Sequence, residues 1–368
     1  MVFVVYGTTA EYIKLMPLLL DLKRRDECYS IVLSQHEEQL LKFFKTYPDL
    51  PKPDLWLIHG FRGRDLDRFY QAPLWFLKVG WAVMRSWSTV RRHAGSNRNL
   101  WLVHGDTFTT VAGAAWGRLM GYTVGHVEGG LRSHSLIHPL PEEIDRLIVT
   151  NLARVHFAPG DVPVSNLHNA KGDVINTYLN TSYDSIAYAK AQDAPTGIPD
   201  LPKDFGIISL HRTEFVANRS VFERTLKTLI EYGANHPMVF IMQPVTIAYA
   251  KDMGLGLQLK KNFISVPKLD YFSLIKLLNL SSYVVTDSGG LQEDCAYMNK
   301  PCLVVRKATE RLDGLAEGIT KLSYYDDQTL RSFLDNPKAD IKGNIKPPQS
   351  PNKVIIDYLL KHDYITRP

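Results

Sequence analysis

Asp106, Glu128 and Glu142 stand in three polar segments of the first half of the chain: His104-Gly105-Asp106-Thr107, His126-Val127-Glu128-Gly129-Gly130-Leu131-Arg132 and Pro141-Glu142-Glu143-Ile144-Asp145-Arg146. Carboxyl groups that converge on one substrate can divide acid and base work when their environments separate their pKa values. The plainer reading of the third segment is a helix start, with Pro141 in its first position and Glu142 and Arg146 a surface pair four residues apart. Three acids at strand ends and a helix start within one domain favour the catalytic reading.

A second set of segments suits an anion. Gly7-Thr8-Thr9-Ala10-Glu11-Tyr12-Ile13-Lys14 carries a strand end into a helix, whose first N–H groups and positive dipole end attract negative charge. Ser209-Leu210-His211-Arg212-Thr213-Glu214 follows another strand, and a His-Arg pair there can hydrogen-bond and neutralise a phosphate. In Thr286-Asp287-Ser288-Gly289-Gly290-Leu291-Gln292-Glu293-Asp294 the Ser-Gly-Gly turn entering a helix is a phosphate cradle: backbone approaches closely and Ser288 adds a donor. Glu293 and Asp294 can hold ribose hydroxyls, and Thr309-Glu310-Arg311 offers a further charged loop. A nucleoside diphosphate is the ligand class these groups describe.

The elements that position them alternate. Strands are predicted at Val2–Tyr6, Ser30–Leu33, Leu100–Val103 and Tyr122–Val127, then at Gly206–Leu210, Met238–Met242, Tyr283–Thr286 and Cys302–Val305, with helical spacing between. This predicts an α/β fold of two doubly wound, Rossmann-like parallel-sheet domains, with ligands at the carboxyl ends of the strands in a cleft between them. Ala189–Asp204, rich in proline and aspartate, reads as a linker. The N-terminal domain is expected at 1–170 and the second at 171–350, with a helix in 351–368 packing back.

At 368 residues the chain is long enough for two domains, and 45% hydrophobic with 22% charged residues excludes disordered and collagen-like classes. A net charge of +5 welcomes an anionic small molecule but is too small to argue for nucleic acid. Cys28, Cys295 and Cys302 give neither a disulfide framework nor a metal-binding pair. The chain opens on a strand with no leader signal, so a reduced, cytoplasmic protein is expected. Pro73–Val90 is too short and too charged, with Lys78 and Arg85, to span a bilayer. It reads as a packed amphipathic helix; the sharper alternative is a peripheral membrane contact through Trp75, Trp81 and Trp87.

Taken together and in order, the motifs GTTAEYIK, HGDT, HVEGGLR, PEEIDR, HRTE, TDSGGLQED and TER resemble those of the non-hydrolysing UDP-N-acetylglucosamine 2-epimerases, two-domain enzymes of the glycosyltransferase-B-like fold. The resemblance covers nearly the whole chain. It implies reversible inversion at C2 of a UDP-2-acetamido sugar, most simply UDP-GlcNAc to UDP-ManNAc for cell-surface polysaccharide synthesis, through elimination of UDP and a bound 2-acetamidoglucal. No redox or metal cofactor is implied, and a homodimer is. Asp106, Glu128 and Glu142 would form the acid/base set. His211, Arg146, Ser288, Gly289 and Gly290 would support the diphosphate, Asp294 would hold the ribose, and Lys14 matches the lysine of the first loop. Arg212, Glu293 and Arg311 complete the candidate substrate contacts.

Three departures qualify the resemblance. Thr9 stands where the family's GTRPE opening has an arginine that faces the phosphates, and one lost charged hydrogen bond costs about 1.5–3 kcal/mol unless another cation replaces it. In the region the family uses for a second, regulatory UDP-GlcNAc, Gln35 and His36 remain, but Glu38 can replace a neutral glutamine and Thr246 replaces a histidine; weak or absent activation by substrate is expected. Leu179 stands at a glycine of the family's hinge. Alternatives are a hydrolysing 2-epimerase, a UDP-sugar glycosyltransferase of the same fold, and a nucleotide-sugar sensor without catalysis.

Overall fold

Val2–Tyr6 is buried at every residue and forms β1. In the computed structural model, which describes residues 1–59, 71–95, 98–133, 142–198, 200–309 and 311–366, it lies in the middle of the first of two sheets. The other strands of this sheet are β2 (Cys28–Leu33), β3 (Leu55–Ile58), β4 (Leu100–His104), β5 (Thr123–Val127), β6 (Val155–Ala158) and β7 (Asp173–Asn176). Their order is β3-β2-β1-β4-β5-β6-β7, every pairing parallel. The second sheet runs β10-β9-β8-β11-β12-β13, again parallel throughout. Its strands are β8 (Gly206–Ser209), β9 (Met238–Met242), β10 (Ile264–Pro267), β11 (Tyr283–Thr286), β12 (Cys302–Val304) and β13 (Thr320–Leu322). Central strands such as LWLVH and YVVT are buried throughout, as a parallel sheet covered by helices on both faces requires. The expected α/β class is therefore the one adopted.

The strand order reverses between β1 and β4 in the first sheet and between β8 and β11 in the second. Crevices at such reversals, outside the carboxyl ends of the strands, are where doubly wound sheets bind ligands. The chain divides into two compact units, Met1–Ser185 with Pro347–Pro368, and Ile186–Lys346. The first continues past residue 170 because β7 pairs with β6 instead of opening the second sheet. The helix Pro351–Lys361 belongs to the first unit: Tyr358 packs edge-on against Phe157 and its hydroxyl donates to Asp173 Oδ2 at 2.6 Å.

The helix Ala72–Arg92 buries Trp75, Val79, Ala82, Val83 and Val90 in the core of the first unit. The Trp75 indole donates to the Ser34 carbonyl at 3.1 Å, and Trp87 packs on the same core. Trp81 alone of the three tryptophans is exposed, with the Arg85 guanidinium over its ring, so the three do not form one outward face. Among the described residues no helix is long and apolar enough to cross a membrane.

Candidate active site

The first unit gathers its polar groups at the carboxyl ends of β1, β4 and β5. Gly7 ends β1, where a side chain would collide with the Leu33 carbonyl and the Thr109 hydroxyl, so only glycine fits. Thr8 and Glu11 then form a capping box for the helix Thr9–Arg24: Thr8 Oγ1 accepts from the Glu11 N–H at 3.2 Å while Glu11 Oε2 accepts from the Gly7 and Thr8 N–H groups at 2.7 and 3.0 Å. One turn on, the same helix aims Lys14 at Glu128, Nζ to Oε1 at 2.9 Å. The Asn180 amide donates to that same oxygen at 2.6 Å, and His104 Nε2 lies 3.6 Å from Oε2. Glu128 is buried and holds a φ of 69°, a left-handed conformation rare for non-glycine residues and one that places its carboxylate off the end of β5.

Arg146 organises the other acids. Its Nη2 and Nε donate to Asp106 Oδ2 at 2.6 and 2.9 Å, and its Nη1 to Glu143 Oε2 at 3.3 Å. Glu143 also accepts from Arg132 Nε at 2.5 Å and from the Ser133 N–H at 2.9 Å. Burial opposes its ionisation, yet these donors hold its carboxyl below the usual range. Arg146 also feels the charge of Glu128, and the neighbouring Asp145 that of Asp106 and Glu142. Glu142 opens the helix Glu142–Leu152, and its Oε2 is buried with no hydrogen-bond partner among the described residues. His126, buried and pushed down to about 4 chiefly by desolvation, is neutral near pH 7; its Nε2 pairs with the Gly105 carbonyl at 2.7 Å and so steadies the turn before Asp106. Thr9 begins its helix with a buried hydroxyl that has no partner among the described residues.

The second unit builds a separate set of groups at its own strand ends. Asp287, wholly buried at the end of β11, accepts from the His211 N–H at 2.8 Å and the Arg212 N–H at 2.8 Å, and His211 Nδ1 lies 3.6 Å from it. The carboxylate thus fixes the His-Arg turn after β8. Burial raises its pKa, against which the Arg212 N–H and the His211 ring work. Ser288 caps the helix Gly289–Tyr297, accepting from the Leu291 N–H at 3.4 Å, and Gly289 and Gly290 take the first two helical positions, whose N–H groups have no intrahelical acceptor. Glu293 is buried on Arg311, Nη1 to Oε2 at 2.9 Å, whereas Asp294 is partly exposed. Arg212 reaches Glu214 at 3.0 Å. Gln292, fully buried, donates to the Arg311 carbonyl at 3.0 Å and accepts from Thr309 at 2.9 Å, which ties down the loop after β12.

The sequence-predicted residues therefore fall into two groups: Lys14, Asp106, Glu128, Glu142 and Arg146 in the first unit, and His211, Arg212, Ser288, Gly289, Gly290, Glu293, Asp294 and Arg311 in the second. Pro141 and Glu310 lie outside the described residues. Asn180, Glu143, Asp287 and Gln292 were not singled out as site residues. Each holds a site residue in place, and burial of a polar side chain, which a single sequence does not display, is what identifies them. Asp287→Asn tests one of these. The amide oxygen in the place of Oδ2 still accepts from both N–H groups but without a negative charge, and its nitrogen takes the Oδ1 place facing the His211 ring, so UDP affinity is expected to fall about 10-fold, roughly 1.4 kcal/mol, with the fold retained, as read by titration calorimetry and thermal melting.

The family model described as UDP-N-acetylglucosamine 2-epimerase matches residues 91–349. A relative from Ralstonia solanacearum named probable UDP-N-acetylglucosamine 2-epimerase is 31% identical over 338 residues, covering 87% of this chain and 86% of its own. The crystal structure of UDP-GlcNAc 2-epimerase from Neisseria meningitidis bound to UDP-GlcNAc superposes with a TM-score of 0.78 at 25% identity, over 98% of this chain and 99% of that one. A structure from Listeria monocytogenes titled as a UDP-N-acetylglucosamine 2-epimerase reaches 0.80 at 24% identity, over 100% of this chain and 97% of that one, a likeness of fold.

Proposed function

The chain belongs to the UDP-N-acetylglucosamine 2-epimerase family, and from that premise we propose that it inverts C2 of a UDP-2-acetamido sugar reversibly and without hydrolysis, UDP-GlcNAc and UDP-ManNAc being the simplest pair. The observation that carries this reading is the pair of held carboxylates at the ends of β4 and β5, Asp106 on Arg146 and Glu128 on Lys14 and Asn180.

The C2 proton of the sugar is too weakly acidic for direct removal, so the reaction runs by elimination. A carboxylate takes the C2 proton, the C1–O bond to the diphosphate breaks, and a C1–C2 double bond forms, leaving 2-acetamidoglucal and UDP. In the return step a diphosphate oxygen attacks C1 and a carboxylic acid delivers a proton to the opposite face of C2. Lys14 and Asn180 hold Glu128 in one orientation for this work, and Arg146 does the same for Asp106. The departing diphosphate gains charge, which His211, Arg212 and the N–H groups of Gly289 and Gly290 are suited to stabilise. Glu293, Asp294 and Arg311 complete the proposed nucleotide contacts. No metal or redox step enters this scheme, and the enzyme works as a cytoplasmic homodimer that supplies cell-surface polysaccharide synthesis.

Incubation with UDP-GlcNAc in deuterated water should place deuterium at C2 of both epimers with no net release of UDP. Absence of exchange into any UDP-2-acetamido sugar overturns the proposal, and UDP accumulating in step with turnover assigns the hydrolysing reaction instead. Initial rates are expected to rise hyperbolically with UDP-GlcNAc, without an activation phase. Two residues matching the regulatory region are engaged internally: the Gln35 amide on Thr109, and the Thr246 hydroxyl on the Leu210 carbonyl. A sigmoidal curve or a lag abolished by added UDP-GlcNAc contradicts this.

A further inference from the structure

Glu11 is a buried acid to which the scheme above gives no work. It is 4% exposed, in the first turn of the helix Thr9–Arg24. The capping box occupies one of its oxygens, Oε2, with the Gly7 and Thr8 N–H groups. The other, Oε1, accepts from the Thr107 hydroxyl at 2.5 Å, 96 positions further along the chain. The Thr110 hydroxyl comes within 3.4 Å of the same oxygen, but it has one proton to give, which the His104 carbonyl takes at 2.7 Å. Thr107 chooses in turn between Glu11 Oε1 and Thr110 Oγ1 at 3.2 Å, and the shorter bond to the acid is the stronger. Thr107 directly follows Asp106, and the Gly7-Thr8 turn opens the helix that carries Lys14 to Glu128. The strands that end at these two turns, β1 and β4, are neighbours across the reversal of strand order. The middle of the Asp106 turn is held by other groups, the Gly105 N–H by the Val127 carbonyl at 3.0 Å and the Gly105 carbonyl by His126. Glu11 thus secures the end of that turn which His126 and Val127 do not.

We propose that Glu11 is a positioning residue for the epimerisation: with the Gly7-Thr8 turn on one oxygen and the Thr107 hydroxyl on the other, its carboxylate sets the spacing between Asp106 and the Lys14–Glu128 pair. This deepens the epimerase reading and rests on it for the catalytic readout. Acid and base groups that serve opposite faces of one sugar carbon must be held at a fixed separation, and a displacement of about 1 Å can cost about 10²-fold in rate. Glu11 acts through Asp106 and Lys14, and touches no reacting atom itself.

Glu11→Asp keeps the charge but is shorter by one methylene, about 1.5 Å, and cannot reach the Gly7 N–H and the Thr107 hydroxyl together. Thr107→Val keeps the shape of that side chain and removes the donor, whereas Thr107→Ser keeps the donor. Burial raises the Glu11 carboxyl to about 7, against the pull of the Thr107 hydroxyl and the Gly7 and Thr8 N–H groups, so the variants are compared at about pH 8.5, where it is ionised. With the full-length protein and saturating UDP-GlcNAc, C2 exchange is expected to fall about 10- to 100-fold in Glu11→Asp and in Thr107→Val, while the Kd for UDP stays within about threefold of wild type. Thr107→Ser should return the rate to within about threefold, and the double variant Glu11→Asp/Thr107→Val should lose little beyond either single one. A contact that serves stability alone lowers the melting temperature and leaves exchange well below the transition unchanged. That result overturns the proposal, as does a double variant whose two losses multiply. Denaturant unfolding of the same four proteins reads the link without the reaction. The cap that Thr107 gives the helix Phe108–Leu119 is lost on both sides of the cycle and cancels, so a coupling of about fivefold in the unfolding constant is expected from the Glu11–Thr107 bond. Should wild type turn over no UDP-2-acetamido sugar, the epimerase reading fails, and this cycle still decides whether Glu11 holds Thr107. Stability losses that simply add overturn the link.

Discussion

Glu128→Gln is expected to reduce C2 proton exchange by roughly 10³-fold, with the protein folded and UDP still bound. The amide removes the proton acceptor and changes the shape little. Glu128 Oε1 receives two donors, Lys14 Nζ at 2.9 Å and Asn180 Nδ2 at 2.6 Å, which keep the carboxylate pointed at a single place. A glutamine carbonyl in the place of Oε1 still accepts from both donors, but it carries no charge and turns its own N–H₂ toward His104. Lys14 then loses its counter-charge in a site where Glu128 is 8% exposed. Lys14→Met should reproduce part of the loss, about 10- to 100-fold, because the carboxylate survives with the Asn180 amide still on Oε1 but without its paired cation. The pairing is tested by the double variant: if the lysine acts only through Glu128, Lys14→Met adds little to Glu128→Gln, and full additivity would assign Lys14 a role of its own. Deuterium incorporation, followed by NMR, measures all three. Glu128→Gln at wild-type speed would remove Glu128 from the acid/base set.

How much of this could be seen in the chain follows from where the residues sit. All the strands predicted are central or next to central, and they were legible because a parallel sheet buries both faces and writes an unbroken apolar run. The four strands at the sheet edges, β3, β7, β10 and β13, escaped prediction. All are three or four residues long; in β7, β10 and β13 Asp173, Asn176, Ser265, Pro267 and Lys321 interrupt the apolar character, whereas β3, Leu-Trp-Leu-Ile, is apolar throughout and is marked only by its shortness. β6 escaped for a related reason, four residues with His156 inside. The boundary of the first unit was misplaced by the same effect, since β7 is an edge strand with little to mark it.

The site divides along a different line. Residues that meet a ligand stand at strand ends in recognisable company, as in HGDT or TDSGG, and their types declare a chemistry. Residues that hold those groups in place declare nothing locally. Asn180 lies 52 positions from the carboxylate it orients, and Asp287 reaches back 76 positions to the His211 N–H. Glu143 was visible in PEEIDR as one of two acids starting a helix, and only the fold distinguishes it: Glu142 keeps a partly exposed place in the cluster, while Glu143 is turned inward and fully covered. The helix decides this, because consecutive residues point about 100° apart and cannot share one environment.

That inward acid is the basis of the largest stability effect expected. Glu143→Ala should destabilise the protein by about 3–5 kcal/mol, since it removes one member of a buried charge network and leaves the others uncompensated. Glu143 is 0% exposed and receives Arg132 Nε, the Ser133 N–H and hydroxyl, and Arg146 Nη1. Two guanidinium groups thus lose a shared anion, and the stretch from Glu128 to Ser133 loses its anchor to the helix Glu142–Leu152. Gly130 within that stretch cannot adjust freely: its φ is 84°, and a side chain there would strike the Pro163 carbonyl. Among the described residues Asp106 is then the only acid still bonded to Arg146, whose guanidinium is held from one side alone. Activity is expected to fall with stability, so the two must be measured apart: chemical denaturation for the first, and C2 exchange well below the melting transition for the second. Glu143→Gln separates shape from charge. It keeps an acceptor for the Ser133 N–H and should recover about half of the lost stability, but with two arginines facing a neutral amide it should not restore the exchange rate. The sign with pH follows from the depressed carboxyl. Its stabilising contribution is complete above the unfolded value near 4 and is lost as acid protonates it in the folded state, so the gap between wild type and Glu143→Gln should close on acidification below about pH 4. A gap that is constant down to pH 3 would mean that the network acts through packing and not through charge.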